Sequence, residues 1–449
     1  MAQLMKKDIG MDLGGTNLRI APVDRSSGRI CGPIRILESQ RFQKNETLTS
    51  ALRELIPGGP DEYNVHIGSA GEIKGLTILG SPNFAINGPI TVAEDLKQMG
   101  FDVKAVNDMG AAVSHAARWG PGKGLKKVAV GTYSSGQNFA VMDLGQLIPM
   151  EFSHVVGPPQ PEWLSADDLR AVIWQFCMRK NLDLSESQLI LNGITDFNAK
   201  RTGLLMDGLP ELSAEALKDP KRSQDAVAQA IFAIETFPDD FSLAGKVFDS
   251  LEALKDKRLF CGCSGRGHLE TDLTGNGAAW MSQRFFMNRT RMMEHPIMRM
   301  ALEKCNKDLG TNFTPDEALH DAIYPLVLRR VNAKMVYDAY RVDPSGEPQS
   351  LIREFQADSI ADSFCRLASN CMSIELLVCM GSMTNDWKEV FEPAISRASN
   401  GSPDFVPFRY ALGNISIPKI VRNEEEHIGL LGAVSFGMYV EEKGRMHQD

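Results

Sequence analysis

Three groups of residues in this chain have types and spacings that can do chemistry. Asp12-Leu13-Gly14-Gly15-Thr16-Asn17 sets a carboxylate beside a turn with two glycines. Glycine lets a backbone approach a phosphate closely, and Thr16 and Asn17 add side-chain donors. Asp12, at the end of an apolar alternation, can hold Mg2+ directly or through water. The spacing is neither G-x-G-x-x-G nor G-x-x-x-x-G-K-[ST], so the Rossmann and P-loop readings fail. An ordinary hairpin turn would also use these residues. The second group, Val106-Asn107-Asp108-Met109-Gly110, places a carboxylate where a strand gives way to a helix. Strand ends in α/β proteins display catalytic side chains, and Asp108 there can take a proton from a hydroxyl attacking phosphorus. Asn and Asp are equally at home as helix N-caps. The third group is Glu151 and His154 with Cys261, Cys263, His268 and Glu270. Cysteine and histidine in such a set suit tetrahedral zinc, and buried thiols with a surface histidine are the plainer alternative.

These groups need elements to hold them. Alternating apolar residues on both sides of the Gly-Gly-Thr-Asn turn, over 8–13 and 18–23, predict a β-hairpin. Further strands are expected over 65–70, 103–106, 128–131 and 139–144, with helices over 49–56 and 110–118. Strand signals thin out from Pro158 onward. Ser165-Ala166-Asp167-Asp168 is a capping box, and Leu169, Val172, Ile173, Phe176 and Cys177 follow at helical spacing. Ala226, Val227, Ala230, Ile231 and Ile234 repeat the pattern. The chain ends with a helix over 360–370, a strand over 375–379, and a last helix carrying Ile428, Leu431, Val434 and Met438.

The length of 449 residues suits two or three domains or one large two-lobed unit. With 43% hydrophobic and 23% charged residues the composition is that of a globular protein. A formal net charge of -9 speaks against binding nucleic acid through bulk charge. No apolar run approaches the ~18 residues of a membrane span, and the first residues lack the apolar core of a signal peptide. The expectation is a cytoplasmic protein with neither a membrane nor a nucleic-acid partner. Eight cysteines over this length do not form a disulfide framework.

Taken in order, the motifs resemble the ROK family of sugar kinases, the glucokinase-like branch of the actin/hexokinase fold. The resemblance covers 7–154, 261–281 and, more loosely, 375–440. It implies an α/β, two-lobed actin-like ATPase (ribonuclease H-like) fold. The implied small lobe is 1–115, with a closing helix at 425–442 packed back on it. The large lobe is 116–424 and includes a largely helical insertion at 155–260. Asp12, Gly14, Gly15, Thr16 and Asn17 resemble the first phosphate motif. Gly131 and Thr132 resemble the second, and Gly381 and Ser382 the adenosine motif. Gly68 to Gly71, with Ser81-Pro82-Asn83, resembles the sugar loop.

The implied activity is ATP-dependent phosphorylation of a hexose or hexosamine hydroxyl. Asp108 would be the general base, and Asn83, Asn107, Asp108, Glu151, His154 and Glu270 would hold the sugar. Mg-ATP is the implied cosubstrate, and a homodimer is the implied assembly. A structural zinc on His154, Cys261, Cys263 and His268 is implied in a modified form, because His268 stands where the family usually has cysteine. The site persists as His2Cys2 or is lost. Tyr133 in the second phosphate turn is expected to crowd the β- or γ-phosphate, and Met380 stands where glycine is common. The insertion follows His154 and is expected to border the sugar cleft or a subunit contact. The competing expectation is a non-catalytic, sugar-sensing ROK-type regulator. Such relatives carry an N-terminal helix-turn-helix, for which the hairpin starting at Asp8 leaves no room.

Overall fold

The computed structural model describes residues 6–14, 17–80, 85–86, 88–134, 136–150, 269–287, 292–319, 323–371, 373–400, 418–423, 425 and 427–446. The insertion at 155–260 lies outside them. The first sheet contains β1 (Lys7–Leu13), β2 (Asn17–Asp24), β3 (Arg29–Ile30) and β4 (Arg35–Glu38). It is completed by β5 (Tyr63–Ser69) and, after the small ribbon of β6 (Glu72–Lys74) and β7 (Thr77–Gly80), by β8 (Asp102–Asn107). Its order is β3-β2-β1-β5-β8, with β4 also paired to β2. β1 runs antiparallel to β2 and parallel to β5, and β5 runs parallel to β8.

The second sheet contains β9 (Lys127–Tyr133), β10 (Gln137–Asp143), β11 (Gln146–Met150), β12 (Leu376–Met380) and β13 (Lys419–Arg422). Its order, β11-β10-β9-β12-β13, repeats that of the first: an antiparallel meander, then two parallel strands on the other side of its first strand. This duplicated ribonuclease H-like topology is the fold class that the motifs imply. No sequence repeat betrays it.

Strand alternation decides what covers each face. In the first sheet Ile9, Met11, Leu13, Val65 and Ile67 bury against Leu48 and Leu52 of helix Asn45–Leu55 and Leu96 of helix Val92–Gln98. In the second, Ala129, Tyr133, Phe139 and Val141 face a thick helical layer. That layer includes helices Gly275–Met287, Pro296–Leu309, Ala333–Val342, Gln349–Asn370 and Lys388–Asn400. Val128, Val130, Ala140 and Met142 face the other way, toward helix Asp108–Arg118 and Ile428. Helix Gln349–Asn370 begins well before the periodicity at 360–370 suggests.

The remaining face of the first sheet carries Asp8, Gly10, Asp12, His66 and Gly68, and the closing helix Ile428–Met446 lies on it. A Cβ on Gly10 would stand 2.5 Å from the Leu430 carbonyl oxygen, and one on Gly432 would stand 2.0 Å from that of Ala111. The closing helix therefore touches both β1 and helix Asp108–Arg118 backbone to backbone.

Further along, the same face is held by charge. Arg25 grips the buried Asp8 with two hydrogen bonds of 2.7 and 2.8 Å and reaches Glu441 of the closing helix at 2.7 Å. His66 Nε2 lies 2.7 Å from the Asp8 carboxylate. His66 Nδ1 has no hydrogen-bond partner among the described residues and abuts Gly437, where a Cβ would stand 1.9 Å away. Burial opposes ionisation of Asp8, but Arg25 and His66 outweigh it and hold its carboxyl well below the usual range. Among the described residues no helix is long and apolar enough to cross a membrane.

The depressed pKa of Asp8 has a definite sign in folding. Its extra stabilisation is present above the unfolded aspartate value of about 3.9 and is lost as pH falls below that value. Asp8→Asn is expected to cost roughly 2–4 kcal/mol at neutral pH and to flatten the stability profile below about pH 4. Urea unfolding at pH 7 and pH 3 measures both effects.

Candidate active site

Register brings the two candidate carboxylates to one edge. Asp12 pairs with Gly68, and Gly68 with Val106, so the carboxyl ends of β1, β5 and β8 finish level. Asp12 is thus level with Val106 two strands away, and Asp108 follows two residues beyond that position, at the start of the helix. Asp12 is half-buried and meets Arg19 of the paired strand β2 at 3.2 Å. Burial raises its pKa, and Arg19 partly offsets this. A Cβ on Gly429 would stand 2.5 Å from the Asp12 carboxyl carbon, so the first turn of the closing helix walls the carboxylate. Arg19 carries no motif signal of its own, and its role becomes visible only through the β1–β2 register.

The first glycine turn closes with the Gly14 amide donating to the Asn17 carbonyl at 3.2 Å, and Ser39 donates to the Gly14 carbonyl. Asn107 caps helix Asp108–Arg118: its Oδ1 accepts from the Met109 amide at 2.9 Å, and its Nδ2 donates to the Gly71 carbonyl at 2.9 Å. The capping reading of this pair is therefore correct, and it is compatible with the catalytic one. Asp108 occupies the first position of the helix, is exposed, and accepts from the same Met109 amide at 2.8 Å. Negative charge is favoured at such a position, as a general base requires. Gly68 does not belong to a loop; it lies inside β5, within 3.2 Å of the Gly429 carbonyl were it given a Cβ.

On the second sheet Gly131 and Thr132 pair with Cys379 and Met380, which puts the second phosphate turn beside Gly381 and Ser382. The expected crowding by Tyr133 does not occur. Tyr133 is fully buried, its ring edge-on to Phe139, Phe364 and Phe391 and its hydroxyl 3.1 Å from Ser363. Strand alternation turns it away from the turn and into the helical layer. Met380 causes no difficulty either, because it ends β12 and packs into the core. The glycine that the turn requires is Gly381, with φ +103° and a virtual Cβ 2.3 Å from the Tyr133 carbonyl oxygen.

Beside these turns lies a cavity of about 560 Å³, a size common for ligand sites. Ser134 and Ser382 are among its lining residues. Asn276, Trp280 and Gln283, on one face of helix Gly275–Met287, form a wall. Trp387, stacked on Tyr337 with ring centroids 4.1 Å apart, forms another. Arg330 and Lys334 supply positive charge at the rim, paired to Asp308 and Asp338. The Gly275 amide donates to the Ser134 carbonyl at 2.8 Å, which seats the helix N-terminus on the second turn. The Gly-x-Gly-Ala run at 275–278 is the sequence signal for this wall.

Gly15, Thr16, Asn83, Glu151, His154, Cys261, Cys263 and His268 lie outside the described residues. Glu270 falls on the short helix Leu269–Leu273. Among the described residues no three His, Cys, Asp or Glu side chains cluster to hold a metal.

Comparison with solved structures agrees with this architecture. A ROK family protein from Streptococcus pneumoniae TIGR4, in complex with sucrose, aligns with a TM-score of 0.51 at 10% identity, covering 98% of this chain and 99% of that one. A ROK family transcriptional regulator, homologous to the E. coli MLC protein, aligns with a TM-score of 0.53 at 10% identity, covering 98% and 79%. The fold is that of the ROK proteins. A ROK glucokinase from Streptomyces griseus, in complex with glucose and AMPPNP, aligns at 18% identity over 95% of this chain and 98% of its own, with a TM-score of 0.49. No family model matches the sequence, and no curated protein does. A ROK family protein and a ROK family regulator thus share this fold, which does not by itself assign an activity.

The Gly381 turn offers a direct check of the geometry. Gly381→Ala combines a left-handed backbone with a clash against Tyr133, and is expected to destabilise by about 2 kcal/mol. Urea denaturation measures it, and an unchanged midpoint would show that the turn has room for a side chain.

Proposed function

We propose that the chain is an ATP-dependent kinase of a hexose or hexosamine, with Asp108 as the general base. The observation that supports this most is that β1 and β8 of one sheet finish at the same end, with Asp12 near the end of one and Asp108 just past the other. One carboxylate is exposed on a helix N-terminus, as proton transfer needs. The other is walled in beside a glycine turn, as phosphate positioning needs.

In this reading Asp108 accepts the proton of a sugar hydroxyl as its oxygen attacks the γ-phosphorus. Asn107 fixes the backbone of Asp108 through Met109 and Gly71, and retains one N–H and one lone pair for a sugar hydroxyl. Gly14, Asn17, Gly131 and Thr132 present the two turns to the phosphates. The half-buried Asp12, with Arg19 on one oxygen, suits a magnesium ion or its waters. When bound with ATP, Mg2+ would neutralise charge on the phosphates. Gly381 and Ser382 border the donor cavity. No step depends on zinc.

The regulator reading has a specific observation in its favour, the ROK regulator among the structural neighbours. A sugar sensor, however, has no use for a base at position 108 or a donor cavity beside Ser134. Asp108→Ala is expected to bind the sugar within a few-fold of the unmodified chain while losing at least about 100-fold in phosphoryl transfer. Calorimetry and a coupled ADP-release assay across hexoses and hexosamines measure the two. Unimpaired transfer would remove Asp108 as base. Sugar binding without transfer in the unmodified chain would favour the regulator.

A further inference from the structure

The donor cavity contains one group whose orientation is fixed and whose partner is missing. Gln283 is only 6% exposed. Its Nε2 donates to the Val331 carbonyl at 3.3 Å. A carbonyl only accepts, so the amide cannot be reversed without setting two oxygens against each other. Oε1 is therefore the free end. Among the described residues nothing donates to it, and Gln283 lines the cavity. Oε1 is open to the cavity, where a ligand N–H can reach it.

Trp280 stands three residues earlier on the same helix face and lines the same space. An indole beside a fixed acceptor suits a flat heterocycle bearing an amino group. Because Ser134, in the second turn, and Ser382 line this cavity, a donor whose phosphates meet that turn places its remaining part here.

We propose that Gln283 selects the donor's nucleobase. Its Oε1 accepts a hydrogen bond from the exocyclic amino group of adenine held against Trp280. A 6-keto purine would bring a second acceptor to the same point and leave both oxygens unpaired. This rests on the kinase reading only in placing the nucleotide in this cavity.

Binding of Mg-ADP and Mg-IDP to the full chain, by calorimetry without sugar, tests the proposal. The two ligands differ at the 6-position and at N1, which is an acceptor in adenine and an N–H donor in hypoxanthine; purine riboside keeps the adenine-type N1. ADP is expected to bind at least about tenfold more tightly. Purine riboside 5′-diphosphate, lacking the amino group without gaining an oxygen, is expected to fall between. Gln283→Met is expected to bring ADP and IDP within about threefold of each other. Equal binding of all three ligands, no binding of ADP, or unchanged discrimination in a folded Gln283→Met would overturn it. The three-ligand series in the unmodified chain decides the matter even if that variant does not fold. Discrimination without sugar phosphorylation would uphold Gln283 and sink the kinase reading. Sugar phosphorylation with equal use of ATP and ITP would do the reverse.

Discussion

The arrangement of the reacting groups depends on how closely the closing helix lies on β1, β5 and helix Asp108–Arg118. Side chains at positions 10, 429 and 432 would hold these elements apart; glycine lets backbone meet backbone at 10 and 432 and lets the Asp12 carboxyl close up at 429. The same contact sets the wall beside Asp12 and the place of the helix that begins at Asp108. Charge completes the seal where packing ends, as Arg25 ties the buried Asp8 to Glu441. The apolar side of β1 anchors the sheet, while its small and charged side meets the helix.

The duplicated topology explains why there are two phosphate turns. Each lies between the first and second strands of its own sheet, Gly14 to Asn17 in one and Ser134 to Gly136 in the other. What differs is the covering. The first sheet has short helices on its outer face, and the second has the layer that contains the cavity. The cavity belongs to that second covering, since its lining comes from the second sheet's turn and the chain from Gly275 onward.

Much of this is legible in the sequence where chemistry is local. The 8–13 and 18–23 alternation marks the first hairpin within a residue or two of its bounds. Asn107-Asp108 marks both a strand end and a helix cap because the same side chains serve both. Tyr133 misleads because its motif neighbours suggest a loop, whereas the strand continues through it and alternation sends the ring inward. Arg19 and Gln283 carry no motif. Their roles arise from register and from a carbonyl at Val331, distant in sequence. The glycines of the closing helix look like poor helix formers until the backbone beside them is known. The early start of helix Gln349–Asn370 is hidden by polar residues that its neighbours bury, Gln349 and Gln356 among them.

Contact without side chains has a mechanical consequence. Interlocked ridges and grooves resist a change in the angle between two helices. Where Gly432 meets Ala111 there is no ridge on one side, so this crossing can serve as a bearing. Asp12 lies close to it beside Gly429, and Asp108 begins the helix to which Ala111 belongs. A rotation about that crossing would move distant side chains furthest and the two carboxylates, which lie beside it, least.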